Sequence, residues 1–265
     1  MREDHRDIYT GAMNAAPPKS ESHYDNTSTV QVDAKSGSYR FQFPDVANTG
    51  HHVRRILEGK DYPVLPIPGY EVETIVDVGA NVGAFTVFMA AHFSAARCYC
   101  FEPSPGAVEY LRQNVAQFPN TEVFPIGLYS EDTSMPLFEG ATQSLQNSLY
   151  NSAETSESNQ SVELRHAGKM MSELKLGRIS ILKVDTEGAE LPVLGALKSK
   201  LSDIDQIYLE YHSEDDRREI ESLLADTHVL AAATAKHVHR GTNHYIRTSL
   251  LVEYPALDVL RVDRS

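Results

Sequence analysis

The chain has 265 residues and carries 24 Lys plus Arg against 37 Asp plus Glu, a formal net charge of -13. That balance repels a phosphate backbone and an anionic membrane surface alike, which argues against nucleic-acid and membrane partners. The length suits one α/β domain with embellishments. The amino-terminal region lacks the short apolar stretch of a signal peptide and no run is long enough to span a bilayer, so a soluble, cytoplasmic protein is expected.

Residues 1–28 mix charge, Pro, Ser and Asn with few large apolar groups, and a disordered arm is expected there. Residues 29–70 read as an N-terminal extension. "TVQVDAKSGSYRFQF" alternates apolar and polar residues on both sides of "KSG", as a β-hairpin does, and "NTGHHVRRILEG" leads through a short helix into a Pro-rich connector. The main domain is expected over 71–265. It opens with strand "TIVDVG", a helix to about Phe93, strand "RCYCFEP", a helix begun by Ser104 and Pro105 with Val108, Leu111 and Val115 on one face, and "TEVFPIGL" as a third strand. Such an alternation calls for a parallel sheet with right-handed crossovers. Cys98 and Cys100 lie two apart in the second strand and read as buried, reduced core thiols.

The polar stretch from Ala141 to Gln160 is too long for an ordinary connection, and is either a lid or a disordered insertion. Beyond it come "RISILKVD", the helix "EGAELPVLGALKSKL" and the strand "QIYLEYH". Ser213 then caps a helix with Asp215 and Asp216 in its first turn and Ile220, Leu223 and Leu224 inward. Finally "VLAAATAKHV" and "YIRTSLLVEY", joined by "HRGTNH", are expected to pair antiparallel, giving a mostly parallel sheet with one reversed strand.

In open α/β sheets ligands bind off the carboxyl ends of the strands, where the chemistry-bearing residues of this sequence fall. Gly79 and Gly83 permit a tight turn after the first strand, and Asp77 places a carboxylate at that strand's end. Glu102, nineteen residues beyond Gly83, ends the second strand, where an acidic side chain suits the two ribose hydroxyls of an adenosine cofactor. The second and third glycine positions of a dinucleotide fingerprint hold Asn81 and Ala84, which counts against NAD. A tight turn without a ligand is the plainer alternative.

"VDVGANVGAFT", "FEPSPGAVEYLRQNV" and "LKVDTEGAE", followed by "IYLEYH", resemble the FkbM-type S-adenosylmethionine-dependent methyltransferases. The resemblance runs from about Thr74 to His212 and is most specific in "LKVDTEGAE". It implies an α/β, Rossmann-like methyltransferase fold, here with the N-terminal β-hairpin added, and methyl transfer usually to a hydroxyl oxygen of a natural product or sugar. It also implies S-adenosyl-L-methionine as cofactor, its methionine part held by the glycine turn and its ribose by Glu102. Asp77, Gly79, Ala80, Asn81, Val82, Gly83, Glu102, Pro103 and Asp185 are the expected cofactor-binding residues.

Lys183 and Asp185 share one face of their strand, as do Glu210 and His212 on the next, so Asp185, Glu210 and His212 are expected to converge beside the methyl donor. Three readings stay open. His212 or a carboxylate removes the acceptor proton; or Asp185, Glu210 and His212 bind a divalent cation; or the group is a structural cluster balanced by Lys183. The first is preferred, with Lys183, Asp185, Glu210 and His212 as catalytic residues and no metal. Glu187 is a candidate substrate contact, whereas Glu190 also suits a helix first turn for its dipole alone. His237, His239 and Arg240 are assigned to the substrate rim, Arg240 facing an anionic group, with His244 opposite across the turn.

An O-methyltransferase acting on a small molecule is therefore expected, with a carboxylate acceptor compatible and a homodimer left open. The rivals are a nucleotide-cofactor oxidoreductase and a non-catalytic cofactor-binding module.

Overall fold

The computed structural model describes residues 26–34, 37–46, 49–140, 148–149, 155–156, 160–255 and 257. The expected arm, up to residue 25, and most of the polar stretch 141–160 lie outside them. A hairpin of β1 (Thr27–Ala34) and β2 (Gly37–Pro44) leads into α1 (Thr49–Leu57). Then come β3 (Thr74–Val78), α2 (Ala84–His92), β4 (Arg97–Phe101), α3 (Pro105–Val115), β5 (Thr121–Phe124), β6 (Gly127–Tyr129) and β7 (Thr133–Pro136). Two-residue strands β8 (Glu139–Gly140) and β9 (Thr155–Ser156) precede β10 (Ser161–His166) and α4 (Ala167–Glu173). The chain continues through β11 (Ile179–Val184), α5 (Glu190–Ala196), β12 (Ile204–Tyr211), α6 (Glu214–Leu224), β13 (His228–His237), β14 (Arg240–Arg247) and α7 (Leu250–Glu253).

The main sheet has the order β13-β14-β12-β11-β3-β4-β5. Only β14 runs against the rest, so the sheet is Rossmann-like, mostly parallel with one reversed strand. From β3 the chain winds outward through β4 and β5, then returns to β11 on the other side. The order therefore reverses between β3 and β11, which opens a crevice beyond their carboxyl ends.

Period-2 alternation divides the core. Ile75, Cys98, Ile181 and Tyr208 face one helical layer, while Val76, Phe101, Leu182 and Leu209 face the other. On the first face stand α2 and, outside it, the hairpin and α1. Helix α2 has no polar side: Ala84 to Ala91 are all buried, because Phe41, Phe43 and Val53 of the extension cover the flank that the sheet leaves bare. Cys98 and Cys100 are buried free thiols whose pKa values burial raises, the first to about 12.

Three boundaries differ from expectation. "TEVFPIGL" is not one strand: pairing with β4 stops at Phe124, and Pro125, which has no N–H for the ladder, turns the chain into β6 of a separate small sheet ordered β6-β10-β7. "HRGTNH" is not a connecting loop, because the turn is only Val238 and His239 and β14 starts at Arg240. The strand expected in "YIRTSLLVEY" ends at Arg247, and Leu250–Glu253 are helical. As a result His244 does not face His237 and His239 across a turn. It is buried in β14, its ring 3.9 Å from that of Tyr208 on the paired strand.

Candidate active site

A pocket lies over the β3/β11 crevice, with about 1140 Å³ of empty space including its open mouth. One end is floored by the turn after β3. Gly79 has φ 76° and Gly83 φ 89°, and Asn81 between them also adopts a left-handed φ of 51°. A Cβ on Gly79 would stand 1.9 Å from the Asp185 carbonyl oxygen, so the close passage of this turn over the end of β11 requires glycine there. The Asn81 Oδ1 accepts the Val82 N–H at 2.8 Å, so a folded-back side chain occupies the place where a dinucleotide fingerprint needs bare backbone.

Glu102 lines the same end. Its Oε2 accepts the Asn81 N–H at 2.7 Å and its Oε1 the Ser104 N–H at 2.9 Å, which fixes the carboxylate while leaving each oxygen a second lone pair. Burial raises its pKa to about 7 against the pull of those two amides. Val82, Leu128, Leu137, Leu149 and Leu164 give this end an apolar sleeve. Ala80 and Pro103 also line it; Asp77 does not, being wholly buried beneath the turn. Asp77 accepts from Thr86 Oγ1 at 2.6 Å and pairs with Lys183 Nζ at 3.1 Å. Parallel register sets Lys183 directly beside Asp77, and Lys183 also donates to the Gly79 carbonyl at 2.5 Å. The Asp77–Lys183 pair thus clamps the glycine turn from below.

The other end is charged. Asp185 accepts from the Tyr62 hydroxyl at 2.7 Å and lies 3.9 Å from Lys183 Nζ; burial opposes its ionisation, but Lys183 and Lys236 hold its pKa below the usual range. Glu210 pairs with Lys236 at 2.8 Å, yet burial and the nearby Asp185 push its pKa up. Glu187 Oε2 meets both His212 Nε2 and Arg240 Nη2 at 3.0 Å. Glu190 accepts from Thr186 N at 2.8 Å and Gly188 N at 3.2 Å, closing the loop before α5, and its other oxygen lies 3.6 Å from His212 Nδ1. Burial alone would lower the His212 pKa, but the two carboxylates outweigh it and lift the value to about 11. The two carboxylates thus favour the imidazolium form of His212, which stands beside Glu187 and is not part of the pocket wall.

Ligand atoms of Asp185, Glu187 and His212 lie within 4.8 Å of one another, a donor set that suits a hard divalent cation. Each carboxylate already has a cationic partner, however, and Glu210, expected in this group, is turned to Lys236. Among the described residues, His237 and His239 are exposed and do not line the pocket, while Arg240 reaches the site through Glu187.

Several contributors escaped the sequence reading. Tyr62, His52 and Thr49 come from the extension, where no strand end announces a site, and Lys236 crosses β14 from an edge strand. From the polar stretch, Leu149 joins the apolar wall and Ser148 Oγ donates to the Glu187 carbonyl at 2.7 Å.

Residues 77–238 match the Methyltransferase FkbM domain. The chain is 29% identical over 179 residues to Methyltransferase 1 of Beauveria bassiana, covering 59% of this chain and 71% of that one. It is 30% identical over 185 residues to Methyltransferase sdnD of Sordaria araneosa, covering 57% and 71%. It is also 22% identical over 162 residues to the hexuronic acid methyltransferase AglP of Haloferax volcanii, covering 59% and 63%. Since the domain match spans more than half of the sequence and takes in the glycine turn, Glu102 and the Lys183–Asp185 strand end, the chain belongs to the FkbM methyltransferases and is an S-adenosylmethionine-dependent enzyme.

Proposed function

We propose that the enzyme methylates a hydroxyl oxygen of a small molecule. The observation that carries this reading is the continuity of the pocket, which joins the Glu102 end, shaped for a nucleoside, to the Asp185–Glu187 end. Glu102 would accept the ribose diol on its free lone pairs, the leucine sleeve would take the adenine ring, and the Asp185 carboxylate would face the methionine ammonium. When bound, the cofactor supplies an electrophilic sulfonium methyl. Lys183 holds the Gly79 carbonyl, and Tyr62 holds Asp185, so neither group needs to reorganise when the pocket is loaded.

A small acceptor fits a pocket of this size in a chain of net charge -13, whereas RNA would meet repulsion. The likeness to a hexuronic acid methyltransferase supports a sugar-like acceptor. A hydroxyl is preferred over a carboxylate because Lys183, the cation lining the pocket, is already committed to Asp77. With a neutral hydroxyl as nucleophile, the protein's main tasks are alignment and removal of one proton, and the protonated His212 has no lone pair for the second.

Methyl-tritiated cofactor incubated with a pool of sugars, uronic acids, phenols and hydroxy acids, and separately with total RNA, tests the acceptor class. Label is expected in base-stable small molecules. Base-labile label would mark ester formation, and uptake into RNA alone would refute the reading.

A further inference from the structure

The pocket wall opposite the glycine turn is built by α1, which precedes the matched domain. Thr49, His52, Val53 and Ile56 line the pocket at i, i+3, i+4 and i+7, the spacing that sets side chains on one helix face. Among the described residues the side chains of the two polar members have no hydrogen-bond partner. The Thr49 hydroxyl is buried, at 2% exposure, without a hydrogen bond, and among the described residues His52 makes neither a hydrogen bond nor an ion pair. Buried polar groups are ordinarily satisfied, so an orphan hydroxyl on a pocket-lining residue, one helical turn from an imidazole that lines the same pocket, marks a place for a polar ligand.

We propose that Thr49 and His52 form the acceptor-oxygen site, the Thr49 hydroxyl orienting the acceptor and one His52 ring nitrogen taking its proton. This rests on the methyl-transfer reading above. As the acceptor oxygen attacks the methyl carbon, its O–H proton passes to the neutral imidazole. The C–S bond breaks with its electron pair going to sulfur, so the products are a methyl ether, neutral S-adenosylhomocysteine and a His52 imidazolium that later releases its proton to solvent.

The surroundings suit that role. Burial is the main cause of a lowered His52 pKa, and Lys236 adds to it, against Asp185, Asp61 and Glu187, which pull the other way. Asp185 is engaged by the Tyr62 hydroxyl at 2.7 Å and by Lys183 at 3.9 Å, Asp61 by Arg55 at 2.6 Å, and Glu187 by Arg240 and His212, so each opposing carboxylate has a partner of its own. These surroundings favour the neutral form of His52, whereas the two carboxylates beside His212 favour its charged form.

Three variants test the proposal: His52→Gln, Thr49→Val and, for contrast, His212→Gln. S-adenosylhomocysteine affinity, measured by calorimetry, should be unchanged in the first two; failure of the wild-type chain to bind it would sink the methyl-transfer reading itself. With the fastest acceptor from the small-molecule pool, His52→Gln should lose roughly 10²–10⁴-fold in kcat together with the acidic limb of the pH profile, and Thr49→Val should act mainly on acceptor KM. Imidazole NMR of the full chain saturated with S-adenosylhomocysteine gives an answer that needs no acceptor: the His52 ring should be neutral at pH 7.5. A charged His52 ring, near-normal turnover in His52→Gln, or an acidic limb that survives the substitution would each overturn the proposal.

Discussion

Glu102 carries two burdens that oppose each other, and they make it testable. Its pKa of about 7 means that burial disfavours the charge, while a ribose diol donates only to the charge's advantage. In the free chain the raised value makes this group's contribution to stability full below 4.5 and lost as pH rises through about 7. Binding should pull the pKa back down, so S-adenosylhomocysteine titrated near pH 6.5 is expected to release protons, seen as a dependence of the calorimetric heat on buffer ionisation enthalpy. Glu102→Gln should abolish that release and cost about 2 kcal/mol, roughly thirtyfold in affinity. His212 has the opposite sign from a depressed acid. Its value, raised from 6.5 to about 11, gives stability that is complete below 6.5 and is lost as pH rises through 11. Chemical denaturation from pH 6 to 10 should show a downward slope that His212→Gln flattens, with turnover falling only in step with the folded fraction and with added chelator changing nothing. A chelator-sensitive wild type would instead assign Asp185, Glu187 and His212 to a cation.

At the scale of elements, the turn between β3 and α2 depends on two glycines for different reasons. At Gly79 a Cβ meets the Asp185 carbonyl, which is backbone and cannot yield; at Gly83 it meets the tip of Leu111 at 2.8 Å, which can rotate away. Gly79→Ala should therefore cost roughly 3 kcal/mol or more in urea denaturation and Gly83→Ala clearly less, although both share a positive φ. Equal losses would show that φ strain alone decides. The sheet, the helix caps and the strand-end carboxylates were legible because each rests on local rules: period-2 alternation, Ser213 bonding the Asp216 N–H at 3.0 Å, and acids at strand ends. Partnerships were not. Nothing in the spacing of Lys183 and Asp77 reveals that register sets them side by side, and no local pattern tells Thr49 and His52 from any helix whose far face is wet. The turn at Val238 and His239 was misplaced because "GTN" mimics loop chemistry, whereas Gly241 serves to keep a Cβ away from the Thr234 carbonyl 2.4 Å off.

For the whole molecule, the hairpin and α1 do more than decorate the domain. They cover α2 with Phe41, Phe43 and Val53, and α1 also brings Thr49 and His52 to the pocket, so the extension both packs the domain and completes the pocket wall. The opposite edge is held by Asp205, buried at the start of β12, which accepts from Arg178 at 2.6 Å, Arg247 at 2.9 Å and the Tyr70 hydroxyl at 2.7 Å. Asp205→Ala should cost about 2 kcal/mol, because the Tyr70 hydroxyl loses its acceptor and, among the described residues, Arg178 and Arg247 keep only Glu253 as an anionic partner, and it should leave S-adenosylhomocysteine affinity unchanged at temperatures where the chain stays folded. Transfer to oxygen underlies both the proposed function and the roles given to Thr49 and His52. Carbon-13 NMR of the small-molecule fraction after reaction with ¹³C-methyl S-adenosylmethionine measures that most directly: a new methyl resonance bonded to oxygen is predicted, and a methyl on nitrogen, sulfur or carbon, or one found only in RNA, would contradict it.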